Sequence, residues 1–189
     1  KGNYMKATGV VRRIDDLGRI VIPKEIRKTL RIKEGTPLEI FTEKEGDIVL
    51  KKYSPVSELS SFSQEYAECL SNVTNLISIV TDKDGVIAVS GTSKKNLLEE
   101  SISEDLEKIL DKRELFVSDD EKHHPINITK KNLENQIAGG TQIIVPIISN
   151  SELVGSLILI DKNPKSNNQD SNVIIAKVAA NFLGTQMEI

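Results

Sequence analysis

Short apolar runs alternate with charged positions along the first third of the chain. This pattern predicts two strands, a short helix and a hairpin, at about residues 8–14, 19–22, 24–30, 37–42 and 47–53. Pro23 suits the start of the helix, because its missing N–H leaves no hydrogen bond unmade there. On this helix Ile26 is expected to face inward, while Arg27 and Lys28 point outward.

A second pattern, at residues 56–73, spaces apolar side chains alternately three and four apart. It predicts a helix with an a/d seam over almost three heptads. The seam consists of Leu59, Phe62, Tyr66, Cys69 and Val73. Pro55 marks the boundary before it, since the residue preceding a proline avoids the helical region. The seam can pack on its own domain or against a second chain, and the sequence leaves both open.

The rest of the chain predicts an α/β domain with an antiparallel sheet. Strands are expected at about residues 77–81, 86–90, 115–117, 126–129, 142–148 and 153–161. Helices are expected at about residues 102–113, with a capping box from Ser101 to Glu104, and at 171–187. The last helix is expected to gather its apolar side chains on one face, formed by Ile175, Val178, Ala179, Phe182 and Leu183.

These elements divide the chain into three parts. Residues 5–53 form an N-terminal domain, 54–75 a linker and oligomerisation helix, and 76–189 a C-terminal domain. Met5 is the expected native start. The N-terminal domain is so small, and its strands so short, that dimerisation is the natural way to complete its core and cover its edges.

Composition adds the class of protein. The chain is 38% hydrophobic and 28% charged, and it has no apolar run of the length needed to cross a membrane. Its single cysteine excludes an intrachain disulfide and fits the reducing cytoplasm. The expectation is a soluble cytoplasmic protein without a membrane partner.

The net charge of −3 conceals two oppositely charged regions. Residues 5–33 carry nine Lys and Arg against three acidic residues, whereas residues 54–189 carry 12 against 20. A basic segment on an acidic body indicates that the segment binds a polyanion. A solvated basic face is the alternative that charge alone leaves open.

Catalytic and metal-binding constellations are missing from the sequence. It has neither a Gly-rich phosphate loop between strand and helix nor a Cys/His cluster with metal spacing. His123 and His124 are adjacent, so they make a poor metal pair, and Cys69 is expected to be a small core residue. Residues 90–95 only weakly suggest an anion-binding loop. We therefore expect a protein that is not an enzyme and has no cofactor or metal.

The segment MKATGVVRRIDDLGRIVIPKEIRKTL at residues 5–30, followed by PLEIF and VLKKYSP, resembles the AbrB transition-state regulators closely. The resemblance covers about residues 5–55 and implies a swapped-hairpin β-barrel dimer that binds double-stranded DNA. It places DNA-contacting arginines at Arg12, Arg19 and Arg27. Lys28 stands where the family often has a fourth arginine. Lysine keeps the charge but loses bidentate reach, so phosphate contact is expected there.

Further DNA-contacting candidates are Arg13, by its neighbourhood, and Lys6 and Arg31. Specificity is expected to come largely from DNA shape, because few side chains are available to read bases.

The remaining sequence resembles a branch of this family that carries a C-terminal GAF-like domain. The resemblance lies in SPVSEL, AVSGTSKK and FLGTQME, at residues 54–59, 88–95 and 182–188. It implies an α+β chain whose GAF-like sheet is flanked by helices, and a homotetramer in which those helices join two dimers. It also implies an activator and repressor of late sporulation genes, acting in the forespore. A small-molecule ligand of the GAF-like domain stays open, since neither a bilin cysteine nor a cyclic-nucleotide motif is present.

Two other function classes compete with this interpretation. The N-terminal domain can serve as a protein-binding and oligomerisation module, as in antitoxins that share the swapped-hairpin barrel. Those proteins usually end in a disordered tail, whereas here a patterned domain follows. An enzymatic C-terminal domain is the third interpretation, and the missing catalytic constellation argues against it.

Overall fold

A computed structural model of the chain describes residues 8–42, 46–53, 60–118, 124–131, 140–162 and 169–186. The chain forms two compact units, which we call unit 1 (Lys1–Tyr53) and unit 2 (Ser54–Ile189). In the described part of the chain, no helix is long and apolar enough to cross a membrane.

Unit 1 contains a short helix and a hairpin. Helix α1 (Lys24–Thr29) starts after Pro23, which occupies the N-cap. Strands β1 (Leu38–Thr42) and β2 (Ile48–Lys52) pair antiparallel, close to the predicted positions.

Helix α1 ends in a Schellman motif. The Ile32 amide donates to the Arg27 carbonyl at 2.7 Å, and the Arg31 amide donates to the Lys28 carbonyl at 3.2 Å. Arg31 has a φ of 53°, at the position where glycine is most common. A non-glycine residue in this conformation is mildly strained, so the sequence stores strain beside the basic helix.

The strands predicted at residues 8–14 and 19–22 are not present in the single chain. A strand needs a hydrogen-bonded neighbour, and within the described residues these segments join neither β1 nor β2. Unit 1 also lacks a core, because none of its described residues is buried. Its large exposed apolar side chains include Val11, Ile14, Leu17, Val21, Leu30, Ile40 and Ile48.

Unit 2 contains the strands β3 (Ile77–Asp82), β4 (Val86–Ser90), β5 (Phe116–Val117), β6 (Thr141–Ser149) and β7 (Glu152–Asp161). They form an antiparallel sheet with strand order β4-β3-β7-β6-β5. The helices are α2 (Ser60–Thr74), α3 (Glu104–Asp111) and α4 (Gln169–Gln186). The central strand β7 is buried along nearly its whole length, as its continuous apolar run predicts.

Helices cover both faces of this sheet. On one face α2 and α4 contribute small side chains such as Ala67, Ala176 and Ala180, which allow close approach to the strands. Gly184 shows how close that approach is, since a Cβ there would lie 2.2 Å from the Ile148 carbonyl oxygen. On the other face α3 packs through Leu106 and Leu110. The predicted α+β class with helices flanking an antiparallel sheet is confirmed.

Two local predictions in unit 2 are wrong. Helix α3 is capped by Ser103, whose side chain accepts from the Leu106 amide, and not by Ser101. Residues 126–129 do not form a strand. The buried Gln142 side chain binds both the N–H and the C=O of Ile126 at 2.9 Å, and Thr129 makes an isolated bridge with Ile102.

Candidate nucleic-acid interface

The basic side chains that the sequence singles out lie at the surface of unit 1. Arg12, Arg13, Arg19, Arg27 and Lys28 are exposed, Arg31 is half-buried, and Lys6 lies outside the described residues. Arg27 and Lys28 occupy the last turn of α1. A cation there also interacts favourably with the negative end of the helix dipole, so this placement is compatible with both local stability and anion binding.

Arg19 closes a tight turn that begins at Asp15. The Asp15 amide donates to the Arg19 carbonyl at 3.1 Å, and the Gly18 amide donates to the Asp15 carbonyl at 3.0 Å. Gly18 has a φ of 75°, which the turn requires and which glycine adopts without strain. The turn therefore places residues 15 and 19 side by side on the surface.

The Asp15 carboxylate fills this turn. Its Oδ1 accepts from the Leu17 amide at 3.1 Å and the Arg19 amide at 2.8 Å, while its Oδ2 accepts from Arg19 Nε at 2.8 Å. Hydrogen bonds to the ionised carboxylate favour that form. The backbone and then the side chain of Arg19 accordingly lower the pKa of Asp15 from its ordinary value of 3.8. Sequence reasoning missed this pairing, although aspartate at the start of a turn ending in glycine is a recognisable signal.

The Asp15 titration provides a direct check of this geometry. We expect its carboxyl resonance in a pH-dependent NMR experiment to have a midpoint below 3.8. In Arg19→Ala the midpoint should rise only part of the way back, because the backbone amide of residue 19 still donates. An Asp15 midpoint at or above 3.8 would contradict the structure.

A second exposed surface lies on unit 2, along α2 and α4. The predicted seam faces the unit's own sheet only in part, since Phe62 and Tyr66 pack against the same core as Ala67 and Leu70, whereas Val73 is exposed. Phe62 and Tyr66 are half-buried, whereas Cys69 is exposed, so its expected core position is wrong. Leu59 lies outside the described residues.

Helix α4 extends this surface. Val178 and Phe182, expected to share a buried face with Ala179 and Leu183, are instead exposed, and Val178 is 63% exposed. The Phe182 ring lies 5.5 Å from that of Tyr66, centroid to centroid. Burial raises the pKa of the Tyr66 hydroxyl, and Cys69 adds to the effect. We call the combined apolar set the seam surface: Phe62, Tyr66, Cys69, Val73, Ile174, Val178 and Phe182.

Polar contacts hold α2 against the edge strand β4. The Gln64 side-chain amide donates to the Val89 carbonyl at 3.1 Å and accepts from the Val89 amide at 3.2 Å. Gln64 also donates to Glu68, whose carboxylate pairs with Lys94 at 2.9 Å and has its pKa lowered chiefly by that lysine. Lys94 is thus engaged in an ion pair, which argues against the anion-binding loop considered at residues 90–95.

Metal chemistry has no support in the described part of the chain. His124 is exposed and His123 lies outside that part. Among the described residues, no three His, Cys, Asp or Glu side chains are grouped so that they could hold a metal ion.

Comparison with known proteins identifies two family matches. Residues 58–188 match the family described as stage V sporulation protein T C-terminal, transcription factor. Residues 11–58 match the family described as antidote-toxin recognition MazE, bacterial antitoxin.

Two individual relatives add to these matches, one along nearly the whole chain and one over about a quarter of it. The chain is 44% identical over 185 residues to stage V sporulation protein T of Bacillus subtilis, covering 97% of this chain and 99% of that protein. Over 52 residues it is 56% identical to the transition state regulatory protein AbrB of the same organism, covering 28% of this chain and 53% of that protein.

A solved structure bears on the fold. The A. aeolicus nlh2 GAF domain in an inactive state superposes with a TM-score of 0.55 at 15% identity, covering 71% of this chain and 85% of that one. The predicted GAF-like fold is confirmed.

Proposed function

The chain belongs to the stage V sporulation protein T family of transcription factors, and on that premise we propose that it regulates late sporulation genes by binding their promoter DNA through unit 1. The observation that carries this proposal is the set of exposed cations on an otherwise coreless unit, in a segment similar to AbrB. Arg12, Arg13, Arg19, Arg27 and Lys28 are the proposed contacts, with Lys6 and Arg31 as further candidates.

The chemistry of these side chains suits duplex DNA. Lysine and arginine neutralise phosphates and release condensed counterions, which supplies most of the affinity. Arginine also presents a planar pair of donors that matches phosphate oxygens or the O6 and N7 atoms of guanine. Lys28 lacks this pair, so we assign it to the phosphate backbone.

A dimer of unit 1 completes the proposal. The exposed apolar side chains of residues 8–50 need a partner, and the segments predicted as strands need a neighbouring strand. A second copy supplies both if the two chains form one swapped-hairpin barrel. Each DNA contact is then made twice, which extends the basic surface along the duplex.

We assign a second contact between copies to the seam surface of unit 2. Exposed apolar patches of this kind mark interaction sites, and continuity between the Tyr66 and Phe182 rings makes this one suitable for a bundle of helices from two chains. Two barrel dimers joined in this way make a homotetramer.

The GAF-like fold supports a regulatory role for unit 2. A small molecule of unidentified chemistry is the natural input for such a domain, and DNA binding is the output. In this scheme the protein is not an enzyme, and it acts in the cytoplasm, in the forespore where late sporulation genes are transcribed.

The test is a binding titration of the full-length protein on a labelled AT-rich promoter fragment across a series of salt concentrations. We expect log K to fall linearly with log salt, with a slope of about −0.9 for each phosphate neutralised. A protein that is folded and oligomeric yet fails to bind the fragment at low salt would overturn the proposal.

The antitoxin match supports a second candidate function for residues 11–58. In that case unit 1 is an oligomerisation module that binds a small toxin protein. Co-purification of the full chain with such a protein, in the absence of DNA binding, would favour this candidate.

A further inference from the structure

We propose that Asp15 is a positioning residue for DNA recognition, which holds the Arg19 guanidinium by its Nε so that the two terminal nitrogens meet the DNA end-on. The inference rests on the proposed function, because it takes Arg19 as a DNA contact. Asp15 would then be an acidic residue with a role in a DNA-binding surface whose other proposed members are arginines and lysines.

The Asp15 carboxylate is itself held in place by the turn. Its Oδ1 is bound by the amides of Leu17 and Arg19, so the group cannot rotate without breaking two hydrogen bonds within the turn. Oδ2 is consequently fixed beside the Arg19 side chain, and accepts from Nε at 2.8 Å. The pair is thus built by the turn rather than by two freely moving side chains.

The Asp15–Arg19 pair differs from an ordinary ion pair on a protein surface in the conformational entropy that it costs. Ion pairs between exposed side chains usually contribute little to stability, because ordering two long chains offsets the attraction. Here the acceptor is ordered by backbone bonds, so only the arginine loses freedom. That loss is incurred before DNA arrives, which reduces the entropy cost of binding.

The bond to Asp15 uses only one of the three nitrogens of the Arg19 guanidinium. The Arg19 side chain is 69% exposed and, among the described residues, is bound only through Nε. Its terminal nitrogens are left as a fork, the arrangement that meets guanine or a phosphate with two parallel hydrogen bonds. The carboxylate also offsets the charge of Arg19. It therefore weakens the general electrostatic attraction of Arg19 to phosphates, while it favours one orientation of the guanidinium.

If Asp15 orients Arg19, its substitution should change the affinity for the promoter fragment and the affinity for random-sequence DNA differently. Asp15→Asn retains an oxygen for the two amides but removes the charge and the acceptor for Nε. We expect it to weaken binding to the promoter fragment by about three- to ten-fold, the range of the net contribution of one ordinary hydrogen bond. Binding to a random-sequence fragment should stay unchanged or become tighter, because one negative charge is removed.

Asp16→Asn is the matched control, since it makes the same charge change one residue away. Asp16 is exposed and, within the described residues, its side chain takes no part in the hydrogen bonds of the turn. We expect the control to leave the ratio of promoter to random-fragment affinity at the wild-type value. If Asp16→Asn lowers that ratio as much as Asp15→Asn does, charge alone explains the effect and the inference is wrong.

A double-mutant cycle separates this inference from the proposed function. If Asp15 acts through Arg19, then Asp15→Asn has no further effect on the ratio in an Arg19→Ala background, because that variant has no guanidinium for Asp15 to hold. An undiminished effect in that background, or a wild-type ratio in folded Asp15→Asn while Arg19→Ala binds weakly, overturns the role of Asp15 alone. Unchanged promoter binding in Arg19→Ala instead removes Arg19 from the proposed interface. If Asp15→Asn by itself fails to fold, Arg19→Lys serves instead: it keeps the charge but has no forked pair of donors, so a wild-type ratio in this variant overturns the inference.

Discussion

Replacing Arg19 and Arg27 together with alanine is expected to lower promoter affinity by roughly two to four orders of magnitude. In a dimer the double substitution removes four cations, and a net loss of about 1 kcal/mol for each corresponds to roughly three orders of magnitude. The salt dependence should become shallower as well, by about 0.9 in the log–log slope for each phosphate that is no longer neutralised. Fluorescence anisotropy across a salt series measures both quantities at once.

The control for this variant removes the same charge elsewhere. Lys83 and Lys112 are exposed on unit 2, and their double alanine variant should bind with nearly wild-type affinity and slope. Both arginines lie at the surface, so their removal should leave the oligomeric state and the thermal unfolding transition unchanged. Wild-type DNA affinity in a correctly folded Arg19→Ala/Arg27→Ala protein would refute their assignment.

Placing glutamate at Val73 and Val178 is expected to shift the assembly from tetramer to dimer. Val73 is 73% exposed and Val178 63% exposed in the single chain, so neither substitution disturbs the core of unit 2. In a tetramer joined through the seam surface, each glutamate would be buried without a partner, at a cost of several kcal/mol. Sedimentation velocity on the full-length protein distinguishes the two states.

Leu98→Glu is the matched control for the seam, because Leu98 is also an exposed apolar residue of unit 2 and belongs to neither α2 nor α4. It should sediment as wild type does. A tetramer that survives both seam substitutions must be held by a different surface, whereas dissociation to monomers would place the seam in the dimer itself.

The parts of the fold that are predictable are those set by local sequence. The hairpin of β6 and β7 lies within about a residue of its predicted limits, 142–148 and 153–161. Turn residues and apolar alternation lie next to each other in sequence there, so a short window contains all the necessary information. The hairpin of β3 and β4 is predictable for the same reason.

The errors occur where the deciding partner is distant in sequence. The Gln142 side chain binds the backbone of Ile126 where the sequence predicts a strand. The two residues are 16 apart in sequence, so the periodicity of the segment cannot reveal this contact. The prediction places Val178 on the same apolar face as Ala179 and Leu183. Because α4 carries apolar residues on more than one face, its sequence pattern does not show which face packs on the sheet of unit 2. Small residues, Ala176 and Gly184 among them, mark that face instead.

The interface is partly predictable in the same sense. The cations can be picked out by charge and by resemblance, since both are properties of the sequence itself. Charge and resemblance do not pick out the Asp15–Arg19 pair, because a sum of charges treats Asp15 only as an opposing charge; the signal for it is the turn that runs from Asp15 to Gly18. The role of Asp15 depends on this turn, which brings residue 19 back to residue 15.

The absence of buried side chains among the described residues of unit 1 links folding to mass action. A domain that acquires its core only from a second copy has no folded monomer to bind DNA, and its stability rises with protomer concentration. The concentration of competent dimer then varies with the square of the free monomer concentration. If unit 1 binds promoters as such a dimer, the rate of synthesis by itself sets a threshold below which they remain unoccupied.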